Sequence, residues 1–389
     1  MSMKNAIFIS FITILFSGCA TGKLILNVTG DVVQRPPNEI PSYTIYALGD
    51  AGEDNEQFRA VMDTLKVVTN DDVQPGTIIF LGDNIYPAGM PSEAAPKKNQ
   101  KAKSILMQQV DAVSKYRGKV VFIPGNHDWN EFKAGGLEAI RREAKFIDEV
   151  DPAHISFLPQ NGCSGPNVLE LNDQVVLLII DSQWWIQDWS KEPEMNAGCD
   201  NDSKAAFIKA FQDKVSFYKD RQILVAMHHP LYTQGPHGGH FTIKNHLFPL
   251  TAIADWMYLP LPVIGSIYPF YRSIFGHSQD LKNPRYRSLR DELLKDLDYD
   301  GNLIFLSGHE HCLQYISKGK NQYLVSGSGS KQTPIANDED LIYGHKSSGF
   351  MELDFYKNNT IWLTIYEVNP KTKTSGIVFS REIIQKSVN

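Results

Sequence analysis

No strong charge of either sign marks this chain of 389 residues. Its formal net charge is -6, so nothing global draws it to nucleic acid or to an anionic surface. An anionic substrate would need positive charge supplied locally, for example by a metal ion. Cysteine is scarce: the four present are Cys19, Cys163, Cys199 and Cys312. Internal repeats and low-complexity segments are absent, which excludes a stacked-repeat architecture. No apolar run reads as a membrane span. Residues 6–16 are too few. Residues 256–275 (WMYLPLPVIGSIYPFYRSIF) are interrupted by Pro260, Pro262, Pro269 and Arg272. What remains is an ordinary globular mix, 42% hydrophobic and 21% charged. It suffices for one large domain or two small ones.

The start of the chain reads as an export signal. A short basic opening (residues 1–4) precedes the apolar run and then Phe16-Ser17-Gly18-Cys19-Ala20. This resembles a bacterial lipoprotein signal, in which small residues precede a Cys that is cleaved and lipidated. Phe16 stands where Leu is usual. The expected organisation is a signal peptide over 1–18, a lipidated tether over 19–41 and one domain over 42–389. That domain carries an apolar insertion at about residues 250–284. Pro36, Pro37 and Pro41 lie in the polar tether. The expected location is the bacterial cell envelope, periplasm or outer membrane, with the membrane reached through a lipid on Cys19. Export permits disulfides. Cys163 and Cys199 sit in polar, Gly-containing loop sequence (NGCSG and NAGCD), whereas Cys312 follows an apolar strand. The expected pair is Cys163–Cys199, contributing about 3–4 kcal/mol in the chain-entropy model.

Along the chain one device recurs. A short apolar run, suited to a strand buried on both faces, stops at polar residues of metal-binding or catalytic type. YTIYAL runs into Gly49-Asp50-Ala51-Gly52. TIIFL runs into Gly82-Asp83-Asn84-Ile85-Tyr86. VVFI, after a Pro124-Gly125 turn, delivers Asn126, His127 and Asp128. ILVAM runs into His228-His229-Pro230, and LIFL into Ser307-Gly308-His309-Glu310-His311. Helices are expected over residues 55–68, 97–116, 136–150 and 203–218. A strand pair is expected at 167–171 and 175–180, and further strands at 323–325, 350–355 and 361–368. The stretch with Trp184, Trp185 and Trp189 reads as a loop. Helices alternate with strands early, and strands dominate later. The expected fold is α/β: two packed mixed sheets flanked by helices, with a site at the carboxyl ends of the strands.

The strand-end residues Asp50, Asp83, Tyr86, Asn126, His127, His228, His309 and His311 offer oxygen and nitrogen donors. Such donors suit iron, zinc or manganese. They are too many for one four-coordinate metal and about enough for two if a carboxylate bridges. Paired metals suit in-line displacement at phosphorus. Each motif alone is weak. Five in sequence order, four with a Gly directly before the donor-bearing segment, are hard to explain as packing.

The series Asp50-x-Gly52, Gly82-Asp83-x-x-Tyr86, Gly125-Asn126-His127-Asp128, Val225-x-x-His228, Gly308-His309-x-His311 resembles the calcineurin-like metallophosphoesterases. Within them it is most similar to the purple acid phosphatases of the small tartrate-resistant type, over roughly residues 43–368. That family implies a four-layer α/β/β/α sandwich. Tyr86 points to the subtype, where a phenolate binds ferric iron; the protein Ser/Thr phosphatase branch has Asp there. The resemblance implies one metal, Fe(III), on Asp50, Asp83, Tyr86 and His311. A second, divalent metal (Fe, Zn or Mn) falls to Asp83, Asn126, His228 and His309. It further implies attack on phosphorus by a metal-bound hydroxide, with His127 over the phosphate assisting the leaving group. Asn126, His127 and, in the loop QGPHGGH, His237 are the expected substrate contacts.

Two roles for Asp128 stay open: holding His127 for catalysis, or capping the turn. His229 is expected to be structural. For residues 256–275 the readings are a lid packed beside the site, or a surface that dips into the membrane. The expected activity is hydrolysis of small phosphate monoesters. The alternatives are a phosphodiesterase or nucleotide hydrolase on the same scaffold, and a catalytically dead surface-lipoprotein binding module. Nucleic acid is not an expected partner, and the sequence leaves the oligomeric state open.

Overall fold

The computed structural model describes residues 20–34, 36, 38–70, 74–252 and 256–384. Cys19 and the apolar run before it lie outside the described residues. Two mixed sheets pack face to face with helices on their outer sides. The first has the order β15-β14-β13-β2-β3-β4-β5. Its strands are β2 (Tyr43–Leu48), β3 (Gly76–Phe80), β4 (Lys119–Phe122), β5 (Ile155–Phe157), β13 (Ser348–Phe355), β14 (Ile361–Asn369) and β15 (Thr374–Ile384). The second has the order β1-β12-β10-β11-β9-β8-β7-β6. Its strands are β1 (Ile25–Leu26), β6 (Asn167–Glu170), β7 (Val175–Ile179), β8 (Gln222–Ala226), β9 (Ile304–Ser307), β10 (Leu313–Lys318), β11 (Asn321–Ser326) and β12 (Leu341–His345).

The central strands of each sheet run parallel: β2, β3 and β4 in one, β7, β8 and β9 in the other. Their side chains alternate between two apolar layers, as a strand period of two requires. Ile45, Ala47, Ile79, Val121, Leu177, Leu224 and Leu306 fill the layer between the sheets. Tyr46, Leu48, Ile78, Phe80, Phe122, Val176 and Phe305 face the helices. Both faces are covered, so these strands are apolar throughout. Parallel neighbours also end on the same side, so their carboxyl ends form one rim.

The helices Glu56–Asn70, Pro96–Val113, Gly136–Val150 and Lys204–Phe217 lie where the apolar spacing predicts. Cys163 and Cys199 form the expected disulfide, and Cys312 is buried and unpaired.

Three expectations need correction. Residues 20–34 of the supposed tether pack against the domain. Thr21 bridges to Ile335, Ile25–Leu26 adds an edge strand to β12, and the Gln34 amide donates to the Ser380 carbonyl. Its Leu26, Val28 and Val32 pack against the layer between the sheets, a gain that outweighs its polar composition. The Trp stretch is not a plain loop. Asp181 caps a short helix, Ser182–Ile186, and Trp184 is fully buried. Finally, Pro269 does not prevent a helix over Ile267–Phe275, because it lies in the first turn, where its missing N–H costs nothing.

Candidate metal centre

Five strand ends converge on one rim. Asp50 follows β2, Asp83 follows β3 and Asn126 follows β4. From the other sheet, His228 follows β8, and His309 and His311 follow β9. The turns are tight. Asp50, Asp83 and His309 have φ of 59°, 55° and 68°. This left-handed region is unusual for residues with a Cβ and is found where function holds a side chain in place. Gly125 is required by close approach: a Cβ there would lie 2.2 Å from Asp83 Oδ1.

The donor atoms form two groups that share Asp83. In the first, the Tyr86 hydroxyl lies 2.9 Å from Asp50 Oδ1, 3.1 Å from Asp83 Oδ2 and 3.2 Å from His311 Nε2. In the second, Asn126 Oδ1 lies 3.0 Å from both His228 Nε2 and His309 Nδ1. Asp83 Oδ1 lies 3.4 Å from His228 Nε2. Asp83 thus directs one carboxylate oxygen at each group.

The proton count tests whether these residues suit metal ions. His228 Nδ1 donates to the Leu81 carbonyl at 2.8 Å, and His309 Nε2 donates to the Gln279 carbonyl at 2.9 Å. When these rings are neutral, their other nitrogens carry lone pairs, and both face Asn126 Oδ1. In the first group one phenol proton faces three acceptors. Lone pairs directed at one another in a buried site call for cations between them. The protein's own groups strain the site in the same sense. Burial, with the charge of Asp83, pushes Asp50 up to about 7. Burial would raise Asp83 as well, but the positive charge of His228 and His127, when those rings are protonated, outweighs it and holds the carboxyl below its usual range. Tyr86 is raised well above 10 by burial and the two carboxylates. His311 is lowered to about 3 by burial and by Lys331. Multivalent cations would draw the raised Asp50 and Tyr86 down, and the lowered Asp83 and His311 already favour the unprotonated form that a metal takes. The donor set fits.

His229 stands beside these donors, and its ring lies within reach of His228 and His309. Both its nitrogens are engaged, Nδ1 with Ser182 Oγ at 2.8 Å and Nε2 with Gln279 Oε1 at 2.6 Å. Both nitrogens are thus held by side chains of the protein, an arrangement that suits a structural histidine.

His127 and His311 are the partly exposed members, at 19% and 18% of their side chains, and mark the open side. The His127 backbone N–H donates to Asp83 Oδ1 at 2.9 Å. Its ring Nδ1 lies 2.6 Å from the Pro87 carbonyl and 3.3 Å from Glu131 Oε1. Asp128 does not orient this ring, so the catalytic reading of Asp128 is corrected to capping. Its carboxylate accepts from the N–H groups of Gly125, Asn84 and Ile85, at 2.8, 3.0 and 3.1 Å. It stitches the β3 and β4 loops together. Burial and the nearby Asp83 push it up to about 7.

His237 does reach the site. Its ring centroid lies 4.1 Å from that of His309, and its Nδ1 lies 3.0 Å from Asp280 Oδ1. Sequence reasoning missed its supports. Asp280 is buried and also binds Arg272 through two nitrogens. Lys331 was missed too; its ammonium lies 3.2 Å from the centre of the Tyr86 ring. Neither residue belongs to a strand-end motif. A cleft of about 790 Å³ lined by Gln222, Tyr299 and Phe355 lies at the opposite ends of the strands and has no imidazole in its lining.

The family model for calcineurin-like phosphoesterases matches residues 43–313, most of the chain and all of the donors above. The chain belongs to this family. Calcineurin-like phosphoesterases typically bind two metal ions and act on small phosphorylated substrates, and the donor groups here agree with that. Two curated relatives are similar over part of their length. Purple acid phosphatase 17 of Arabidopsis thaliana is 37% identical over 92 residues, covering 22% of this chain and 25% of the relative. Purple acid phosphatase 7 of the same plant is 48% identical over 105 residues, covering 26% and 30%. The matches thus span less than a third of either relative. Among solved structures, GAP50, the anchor in the inner membrane complex of Plasmodium, aligns over 90% of this chain and 91% of its own. Its TM-score is 0.54 at 15% identity, a likeness of fold.

Proposed function

We propose that the chain is an exported phosphatase of the purple acid type, cleaving small phosphate monoesters with an Fe(III) and a divalent metal (Fe, Zn or Mn). Asp50, Asp83, Tyr86 and His311 would hold the first metal. Asp83, Asn126, His228 and His309 would hold the second. When bound, the pair would supply Lewis acidity, lowering the pKa of water and neutralising charge on the phosphoryl oxygens. The observation that carries the reading is the Tyr86 hydroxyl, set between Asp50, Asp83 and His311.

The protein's own groups supply the rest. His127 has its Nδ1–H directed at the Pro87 carbonyl. Nε2 is then the atom that can hand a proton to a departing alcohol. His237, propped by Asp280, and Asn126 would contact the phosphoryl oxygens. The same proposal puts a signal peptide over 1–18 and a lipid on Cys19, holding the enzyme at a bacterial envelope.

The test is metal analysis and a visible spectrum of the purified protein and of Tyr86→Phe, with turnover of a monoester and of its diester analogue. A tyrosinate–iron band lost in the variant, with preference for the monoester, supports the proposal. A colourless, iron-free but active enzyme, or a preference for the diester, sinks it.

A further inference from the structure

The segment between the His237 loop and the helix Pro284–Leu293 inverts the usual rule for a soluble surface. In Ile267–Phe275 the side chains of Ile267, Tyr268, Phe270, Tyr271, Ile274 and Phe275 are exposed. The helix's one charged residue, Arg272, turns inward to the buried Asp280. Before it, Trp256 is 81% and Val263 85% exposed, with Tyr258, Leu259 and Ile264 also open. Arg272 is the one charge in residues 256–275, so the outward face of this segment is apolar and aromatic. A monomer's surface rarely carries so large an apolar patch without an occupant.

The start of the described chain indicates the occupant. The Ala20 amide donates to the Phe241 carbonyl at 3.0 Å, and Ala20 is buried. The Phe241 ring lies under the Arg272 guanidinium, 5.2 Å away, and Tyr268 flanks the same guanidinium at 6.0 Å. The chain therefore emerges at the root of the exposed patch. The nineteen residues before Ala20 contain the apolar run 6–16 and Cys19. An apolar leader, or a lipid on Cys19, would reach a bilayer beside this patch. Trp and Tyr are the residues that settle at headgroup level, and an uncharged apolar face is what the acyl boundary accepts. Among the described residues, no helix is long and apolar enough to cross a membrane, so the segment would lie in the interface.

We propose that residues 256–275 form a second membrane contact, dipping Trp256 and the outer face of Ile267–Phe275 into the bilayer next to the chain's entry point. This goes beyond the phosphatase reading and does not depend on it. Trp256 provides the probe. Trp129, Trp184, Trp185 and Trp362 are buried and Trp189 is partly so.

The full chain is bound to phosphatidylcholine vesicles carrying brominated acyl chains, and its fluorescence is read. Quenching is expected, and its loss in Trp256→Phe. In a Cys19→Ala background, replacing Ile267, Phe270 and Ile274 together by Ser should weaken vesicle binding by at least about tenfold. Monoester turnover in detergent should stay unchanged. A vesicle-bound protein with unquenched Trp256 overturns the proposal. So does a dimer in solution that the triple Ser variant dissociates, because a second copy would then be the occupant. Equal vesicle affinity of the triple variant and its parent overturns it as well.

Discussion

The metal-donor rim and the apolar segment 256–275 are neighbours built on opposite principles. In the rim, charged and polar side chains are buried and held by short hydrogen bonds to loops that leave apolar strands. In the segment, apolar side chains are exposed, and one buried ion pair, Arg272–Asp280, helps hold the backbone. Each reverses the ordinary partition of polar and apolar groups. The rim can do so because two sheets supply a rigid frame and cations can satisfy the donors. The segment has no such frame, and a nonpolar phase would have to satisfy it. Polar residues buried without enough protons point to a metal, and apolar residues exposed without charge point to a lipid surface.

Breaking the shared carboxylate should separate the two regions most sharply. Asp83→Asn removes the anion that both donor groups share. Metal content by elemental analysis should fall to less than half, and monoester turnover by about 10³-fold or more. Vesicle binding should be unchanged. Retention of both metals would mean that Asp83 does not bridge.

His127→Ala should lower kcat by about 10²-fold for a monoester with a poor leaving group, and far less for one with a good leaving group. Equal losses on both would assign His127 to charge stabilisation instead of proton transfer.

Asp280 joins the two regions, since it holds both His237 and Arg272. Burial would raise this carboxyl, but His237 and Arg272 outweigh that and lower it to about 2. A depressed carboxylate stabilises the fold above its unfolded pKa near 4, and that contribution is lost as pH falls toward 2. It amounts to about 2 kcal/mol. Asp280→Asn should lose it at neutral pH and show a flatter acid limb in urea titrations. It should also raise KM several-fold with a smaller change in kcat. An unaltered acid limb would mean that the pair is not coupled to folding.

The smallest effect is expected in the segment itself. Phe270→Ser in detergent should change turnover by less than about twofold, because surface substitutions away from buried networks cost little. A larger loss would show that the segment acts as a lid over the site.

Much of the rim is legible in the sequence, and the reason is local. The runs YTIYAL, TIIFL and VVFI are apolar on both faces, so each reads as a buried strand, and each stops at a residue too polar to continue inside. The helix Gly136–Val150 is equally local, an amphipathic repeat that packs one face. Other features depend on partners far along the chain. Strands β10, β12 and β15 were not anticipated, because their pairing with neighbours decides them more than their own composition. Residues 20–34 looked like a tether until an edge strand required pairing. Asp128 could orient His127 or cap a turn, and sequence offers no choice between them. The N–H groups of the β3 loop, 43 and 44 residues away, make it a cap.

The sequence by itself determined which residues stand at the strand ends, because a run of apolar residues specifies a buried strand and also where it must stop. Only the tertiary structure decided how those ends divide their work. The His309 amide meets Asp50 across 259 residues, and Asp83 turns one oxygen to each donor group only because two sheets bring β3, β8 and β9 to one rim. The same holds for Ile267–Phe275. Its composition is apolar wherever it lies, but the inward turn of Arg272 toward Asp280 is what sets its bulky side chains facing out.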